Sequence, residues 1–133
     1  KEIKMDIKEQ KLILGSGVNT DGTSYQGEFC FPYSWLVIAI GEPNGQSDGY
    51  KTDVKWSFLV ESSGVIATIY NWKDGPNYTG GGRVEDLTDW HIGGHDQRAV
   101  ELVKALVIGE RYEEYNYWTA ESPEPDSVYW SSM

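Results

Sequence analysis

The sequence is poor in cysteine, histidine and positive charge. It has one cysteine and two histidines in 133 residues, and 11 Lys and Arg against 21 Asp and Glu give a formal net charge of −10. One cysteine allows no internal disulfide and favours a reducing compartment. Nucleic acids and anionic lipids are bound by basic faces, so direct binding to nucleic acid or to a membrane surface is not expected.

Long hydrophobic runs are also missing. No stretch of 18 apolar residues is present, so the sequence predicts no membrane-spanning helix. Hydrophobic residues still make up 39% of the chain and aromatic residues 14%, which is enough for a packed core at this length. We therefore expect one domain over residues 1–109, followed by an extension of different composition over residues 110–133.

Alternation of bulky and polar residues predicts four main strands. Residues 25–31 alternate as a half-buried strand does. Residues 53–72 predict a hairpin of two strands, in which Trp56 and Ile69 lie on the same face. A further strand is predicted over residues 84–92, where the Gly-Gly pair that follows is expected to end it.

Two segments predict helices. Residues 32–40 form an apolar run that suits a buried strand or a buried helix, and Gly41, which suits a left-handed cap, favours a helix over residues 33–40. A second helix is predicted over residues 97–108, where apolar residues recur at helical spacing after Asp96, a natural N-cap. The predicted fold class is α+β, an antiparallel sheet of about four strands with two helices packed on one face.

The extension is both acidic and aromatic. Residues 110–133 hold six acids against one arginine, a net charge of −5, together with six tyrosines and tryptophans. Carboxylates can take the place of phosphates, and Tyr and Trp supply rigid contact area at low entropic cost. We expect this segment to pack on the domain or on a partner. The predicted partner-binding residues are Glu110, Glu113, Glu114, Tyr115, Tyr117, Trp118, Glu121, Glu124 and Asp126.

A second candidate site surrounds the glycine-rich stretch 74–83. Aromatic and cationic side chains bracket this stretch, and an aromatic face can stack a base while a cation meets a phosphate. No Walker or dinucleotide fingerprint accompanies them. The alternative prediction is therefore a small-ligand site for a nucleotide-like molecule, formed by Trp72, Lys73, Tyr78 and Arg83.

The remaining polar residues form no catalytic or metal-binding pattern. His91 and His95 have a spacing that metal ligands use, but they flank a Gly-Gly turn instead of sharing a helix face. Cys30 precedes an apolar run, as a small buried hydrophobic residue would. No nucleophile motif is present. We therefore expect a protein that is not an enzyme and that has no catalytic residue, no metal and no cofactor.

Two stretches resemble known proteins. Residues 67–73, ATIYNWK, and residues 90–94, WHIGG, are similar to a TIYxWK … WxIGG pattern in small uncharacterised bacteriophage proteins. The helix, glycine-proline stop and hairpin within residues 36–70 resemble the helix-hairpin unit of β-lactamase inhibitory protein and of the small outer-membrane lipoprotein assembly factor. The phage resemblance implies a counter-defence protein, such as an inhibitor of a CRISPR or restriction complex.

Together these observations predict a small acidic protein inhibitor, phage-encoded, of the anti-CRISPR or anti-restriction type. It would occupy a basic nucleic-acid-binding surface of a host protein in the bacterial cytoplasm, and its net charge would speed association. A nucleotide-binding or sponge protein is the alternative, and an assembly protein that forms large homo-oligomers is a third possibility. The choice between monomer and dimer stays open.

Overall fold

The computed structural model describes residues 11–109 and 130–132, which form an antiparallel sheet with the two longer helices packed on one face. The strands are β1 (Leu12–Leu14), β2 (Ser24–Cys30), β3 (Lys55–Val60), β4 (Ile66–Tyr70), β5 (Asp89–Gly94) and β6 (Trp130–Ser132). Across the sheet their order is β1, β3, β4, β5, β2, β6, and every neighbouring pair is antiparallel. The α+β class is confirmed, and two three-residue edge strands extend the predicted sheet of about four.

The helices are α1 (Tyr33–Ile40), α2 (Pro76–Thr79) and α3 (Arg98–Lys104). The prediction of α1 is confirmed: the helix begins after Pro32 and ends at Gly41, whose φ of 87° favours glycine. The second predicted helix is also confirmed, although it begins one residue later than expected, at Arg98. The Asp96 carboxylate accepts a 2.9 Å hydrogen bond from the Arg98 amide, and a π-helical turn over Ala105–Gly109 continues the helix.

The core lies between the helices and one face of the sheet. Trp56 pairs with Ile69 and Phe58 with Ala67, which confirms the predicted hairpin register, and Ile69 also pairs with Ile92. This apolar row is covered by α1 and α3, so both predicted helices pack on the same face. The helix residues buried there are Leu36, Ala99, Val100, Leu102 and Val103.

Two core tryptophans connect the sheet to both ends of α1. The Trp90 indole donates a hydrogen bond of 2.7 Å to the Phe31 carbonyl, before the helix, and the Trp56 indole donates one of 2.8 Å to the Gly41 carbonyl, after it. The two indole rings pack edge to face with centroids 5.5 Å apart. Because both side chains are fully buried, α1 is fixed on the sheet by packing and by hydrogen bonds at each end.

The predicted strand over residues 84–92 is wrong at both ends. Residues Val84–Asp86 form a 3₁₀ turn, and β5 begins at Asp89 and continues through Gly94. A Cβ atom added at Gly94 would collide with the Ala99 Cβ, so glycine is present here because α3 packs closely on the strand. The Gly-Gly pair therefore belongs to the strand and does not form a turn.

Candidate functional site

The sheet face opposite α1 and α3 is polar and aromatic, and is named the open face. Across it, Lys55 on β3 pairs with Tyr70 on β4, Tyr70 pairs with His91 on β5, and His91 pairs with Glu28 on β2. Side chains alternate along a strand, so this row points away from the core. The same face carries Thr68, which is only 2% exposed.

His91 lies at the centre of an aromatic group on the open face. Its ring centroid is 5.0 Å from that of Tyr25, 5.6 Å from Tyr70 and 6.3 Å from Trp72. Burial lowers the pKa of His91, although nearby carboxylates oppose the effect. The imidazole is therefore neutral at pH 7, and its 3.7 Å contact with Glu28 is not an ion pair at that pH. Glu28 instead accepts a 2.7 Å hydrogen bond from the Tyr25 hydroxyl.

We expect protonation of His91 to contribute to acid destabilisation below about pH 6.5, the ordinary pKa of histidine. A lowered pKa in the folded state means that the unfolded chain binds more protons between the two pKa values, so acid favours unfolding. His91→Gln should therefore lose part of the fall in melting temperature between about pH 7.5 and about pH 5. His95→Gln is the matched control, because His95 is exposed. An unchanged pH dependence in His91→Gln would contradict this prediction.

Beside this group, two lysines lie between three exposed rings. Lys51 Nζ is 5.8 Å from the ring centroid of Tyr50 and 5.5 Å from that of Trp72. Lys73 Nζ is 5.8 Å from the ring centroids of Trp72 and Tyr78, and the Tyr50 and Tyr78 rings are 5.3 Å apart. The exposed fractions are 57% for Tyr50, 39% for Trp72 and 42% for Tyr78. These five residues are named the lysine–aromatic cluster.

Asn71 holds the chain segment that leads into the lysine–aromatic cluster. This side chain is fully buried, and its Oδ1 accepts hydrogen bonds from the amides of Asp53 (2.7 Å) and Val54 (3.1 Å). Its Nδ2 donates to the carboxylates of Asp53 (2.9 Å) and Asp74 (3.1 Å). Lys73 has a φ of 62°, which costs a non-glycine residue about 1–2 kcal/mol. The buried network therefore stabilises a turn that is unfavourable by itself.

A turn organised by Asp48 presents the other lysine of the cluster. Asp48 Oδ1 accepts hydrogen bonds from the backbone amides of Tyr50 (2.8 Å), Lys51 (2.9 Å) and Thr52 (3.0 Å). The bonds from Thr52 and Tyr50 contribute most to lowering the pKa of Asp48 to about 2. The carboxylate is therefore ionised at neutral pH and holds the turn in place.

Trp72 lines two pockets on the open face. The larger pocket has a volume of about 450 Å³ and is lined by Thr68 and Gly93 of the sheet, by Trp72 and by the Asp48 turn. Small-molecule pockets have volumes of roughly 300–1,000 Å³. The size of the larger pocket therefore suits a small organic ligand.

The smaller pocket, of about 220 Å³, has an acidic wall that includes Glu28 and Asp89, with His91 beside them. Cys30 also lines it and is half-buried, so the prediction of a buried hydrophobic cysteine is wrong: its thiol faces this pocket and donates a 3.0 Å hydrogen bond to Asp89. Burial and this hydrogen bond raise the pKa of Cys30 to about 11. Among the residues that the structure describes, no group of three or more His, Cys, Asp and Glu side chains could hold a metal ion.

The open face thus offers flat rings, ammonium groups, hydroxyls and carboxylates on one surface. Comparisons with protein-family models, with curated proteins and with solved structures find no match for this chain. The chemistry of the surface is therefore the guide to function. No helix in residues 11–109 or 130–132 is long and apolar enough to cross a membrane.

Three of the four residues predicted for ligand binding lie together. Trp72, Lys73 and Tyr78 belong to the lysine–aromatic cluster, whereas Arg83 forms an exposed ion pair with Glu85 at 3.5 Å. The sequence predicts a single loop site for all four because they bracket the same glycine-rich stretch. Chain proximity alone did not distinguish the three residues in the cluster from Arg83.

Sequence reasoning missed Tyr50 and Lys51, which complete the cluster. They lie about twenty residues before Trp72 and Lys73, in a loop that had no predicted role. A usable signal was present, because Tyr50-Lys51 repeats the aromatic-lysine doublet of Trp72-Lys73. The two doublets meet because the sheet strands between them in the chain bring the two loops together. No local sequence pattern predicts this.

The partner-binding residues predicted in the extension lie outside the described residues. They are Glu110, Glu113, Glu114, Tyr115, Tyr117, Trp118, Glu121, Glu124 and Asp126. The end of the predicted extension does have a described place, because Trp130–Ser132 forms the edge strand β6, paired with β2. Removal of all of residues 110–133 would therefore also remove a strand of the sheet.

Proposed function

We propose that the protein binds a small nucleotide-like ligand, with a flat ring and a negative charge, at the lysine–aromatic cluster. The observation that supports this function is the alternation of two ammonium groups with three exposed rings, each ammonium within 5.8 Å of two ring centroids. Within residues 11–109, neither Lys51 nor Lys73 forms an ion pair. Their charges are therefore available to an anionic ligand on a chain whose net charge is −10.

The cluster has the two kinds of contact that such a ligand needs. Stacking of one base on an aromatic side chain is worth about 1–3 kcal/mol. A phosphate beside the stacked base would accept a charge-assisted hydrogen bond from a lysine ammonium group. Because Asn71 and Asp48 hold the two turns rigidly, little conformational entropy is lost when the ligand binds.

The test is a binding panel measured by thermal shift and by calorimetry. It contains the ribonucleoside 5′-monophosphates, the diphosphates and the 3′,5′-cyclic nucleotides. At least one member should raise the melting temperature by mass action. Trp72→Ala should then weaken its Kd by roughly 5–100-fold, which corresponds to the loss of one stacked ring. Lys51→Gln and Lys73→Gln should each weaken it by roughly 3–10-fold.

Lys11→Gln is the matched control for the lysine variants. Lys11 is an exposed lysine away from the cluster, next to the edge strand β1, where it pairs with Glu61 at 3.6 Å. Its substitution should leave the Kd unchanged. Absence of binding across the whole panel would contradict the proposed function, and so would equal losses in the Lys11, Lys51 and Lys73 variants.

The acidic protein inhibitor is a second proposal, favoured by the distribution of charge. The last 24 residues carry a net charge of −5, half of the total, and a basic host protein would be steered towards them. The same panel separates the two proposals, since an inhibitor of this kind would leave every nucleotide unbound. Its association with a basic nucleic-acid-binding protein should weaken steeply as salt is raised.

A further inference from the structure

We infer that the larger pocket holds the hydroxyl-bearing sugar ring of the ligand, a pentose of the ribose type. This inference rests on the proposed function and adds the ligand class, a ribonucleotide. The pocket and the lysine–aromatic cluster are continuous, because Trp72 belongs to both and the Asp48 turn that lines the pocket also presents Tyr50 and Lys51. A base stacked on the cluster would therefore place its sugar beside the pocket.

Thr68 supplies a buried polar group that has no hydrogen-bond partner among the described residues. It lines the larger pocket and is 2% exposed, yet its hydroxyl makes no hydrogen bond to any residue in the range 11–109. Buried hydroxyls are nearly always hydrogen-bonded, because leaving one unsatisfied is unfavourable. A ligand hydroxyl entering the pocket would satisfy it.

Gly93 allows the Thr68 hydroxyl to lie directly against the backbone of β5. A Cβ atom at Gly93 would lie 2.5 Å from Thr68 Oγ1 and 3.4 Å from Tyr70 Cε1. The backbone of Gly93 has no positive φ, so its conformation is open to other residues. The close approach of Thr68, rather than backbone freedom, is therefore the reason for glycine here, and it fixes the position of the Thr68 hydroxyl at the pocket.

The pocket also offers a fixed acceptor and a cation. Oδ1 of Asp48 is occupied by its own turn, while no hydrogen bond reaches Oδ2 from the described part of the chain. Lys55 lines the same pocket. Hydroxyl groups both donate and accept, so a ribose ring can satisfy a carboxylate, an ammonium and the Thr68 hydroxyl together. An apolar group would leave them unpaired, and a phosphate would be repelled by Asp48.

The experiment compares each ribonucleoside 5′-monophosphate of the panel with its 2′,3′-dideoxy counterpart by calorimetry. The ribonucleotide that binds should do so roughly tenfold more tightly than its dideoxy form, the change expected for loss of one or two hydrogen bonds in a buried site. Base stacking and phosphate contacts are the same in both members of the pair, so the comparison isolates the sugar hydroxyls.

Thr68→Val then tests whether the preference arises in this pocket. Valine keeps the shape of threonine and removes the hydroxyl, so the two Kd values should converge to within about twofold. The melting temperature without ligand should stay unchanged or rise by a few degrees, because an unsatisfied buried hydroxyl is gone. Gly93→Ala should likewise reduce the preference for the ribonucleotide, because its Cβ atom would displace Thr68 Oγ1. Thr88→Val, at an exposed threonine outside both pockets, is the matched control.

The outcomes separate this inference from the proposed function. Equal binding of the ribo and dideoxy forms would overturn the sugar pocket while leaving the base and phosphate site intact. A ribonucleotide preference that survives Thr68→Val would overturn it as well, because the hydroxyls would then be recognised elsewhere. Absence of binding by every nucleotide would overturn both.

Discussion

Trp90→Ala is expected to lower the free energy of unfolding by about 4–5 kcal/mol. Truncation of a buried aromatic residue costs about 3–5 kcal/mol, because lost apolar burial and the remaining cavity add together. The variant also loses the hydrogen bond from the indole to the Phe31 carbonyl, worth about 1 kcal/mol. A domain of this size has a total stability of about 5–15 kcal/mol, so this one substitution removes a large part of it.

Trp90 has this effect because it joins three parts of the core. It lies on β5, its ring packs edge to face on Trp56 of β3, and its centroid is 6.2 Å from that of Tyr33 on α1. No neighbouring side chain can fill the space of an indole without leaving its own contacts. Loss of the ring therefore loosens α1 and the centre of the sheet at once.

Urea denaturation followed by circular dichroism measures this effect, with Trp72→Ala as the matched control. The same atoms are removed there, but the Trp72 side chain is 39% exposed, so the expected loss is about 1 kcal/mol or less. The two variants also separate fold from site, since Trp72→Ala should remove most ligand affinity. Equal destabilisation by the two substitutions would contradict the assignment of Trp90 to the core and of Trp72 to the site.

Asn71→Ala is expected to lower the free energy of unfolding by about 3 kcal/mol. The substitution removes four hydrogen bonds: two that Asn71 Oδ1 accepts from backbone amides and two that Asn71 Nδ2 donates to the carboxylates of Asp53 and Asp74. The two amides lose their acceptor inside the protein, which is the costly part of the change. Because this network holds the positive φ of Lys73, the variant should also weaken ligand binding.

Asn19→Ala provides the comparison for this second prediction. Asn19 also accepts a hydrogen bond from a backbone amide, that of Asp21 at 3.0 Å, but its side chain is exposed and water can replace the bond. Its substitution should change the free energy of unfolding by less than about 1 kcal/mol. If both asparagine variants unfolded at the same urea concentration, the Asn71 network would not be a stabilising element.

The hairpin of β3 and β4 could be predicted from the sequence because its information is local. The side-chain period of a strand is two, and a slip of one residue would bring Ser57 and Lys55 into the core in place of Trp56. The helix α1 was also predictable, because glycine after an apolar run ends a helix for steric reasons. In both cases a few neighbouring residues are sufficient to specify the structure.

The limits of β5 could not be predicted in the same way. Gly93 and Gly94 resemble a turn in sequence, but in the structure they remain in the strand because Ala99 and Thr68 lie too close for a side chain. That requirement comes from residues on α3 and β4, and no local pattern reports it. The same holds for Asn71, whose partners Asp53 and Val54 lie on a different segment of the chain.

Part of the candidate site could be predicted from the sequence, because some of its residues are close together in the chain. Trp72, Lys73 and Tyr78 lie close together in the chain, and aromatic residues next to lysines in a glycine-rich loop favour a ligand site. Lys51 and Tyr50 join them only because the sheet brings two loops to the same end. The pocket at Thr68 and Gly93 had no sequence signal, since a threonine and a glycine in strands are ordinary residues.

By itself, the sequence determined the α+β class, the hairpin register, both main helices and the net charge of −10, which disfavours a polyanionic partner. These properties depend on the spacing of apolar residues, on the residues that end helices and strands, and on composition. The first two act over a few residues, and composition is a sum over the chain. The tertiary structure decided which lysines meet which rings and which buried hydroxyl, among the described residues, has no hydrogen-bond partner. Those are contacts between distant segments, and only the packed sheet brings them within reach of one another.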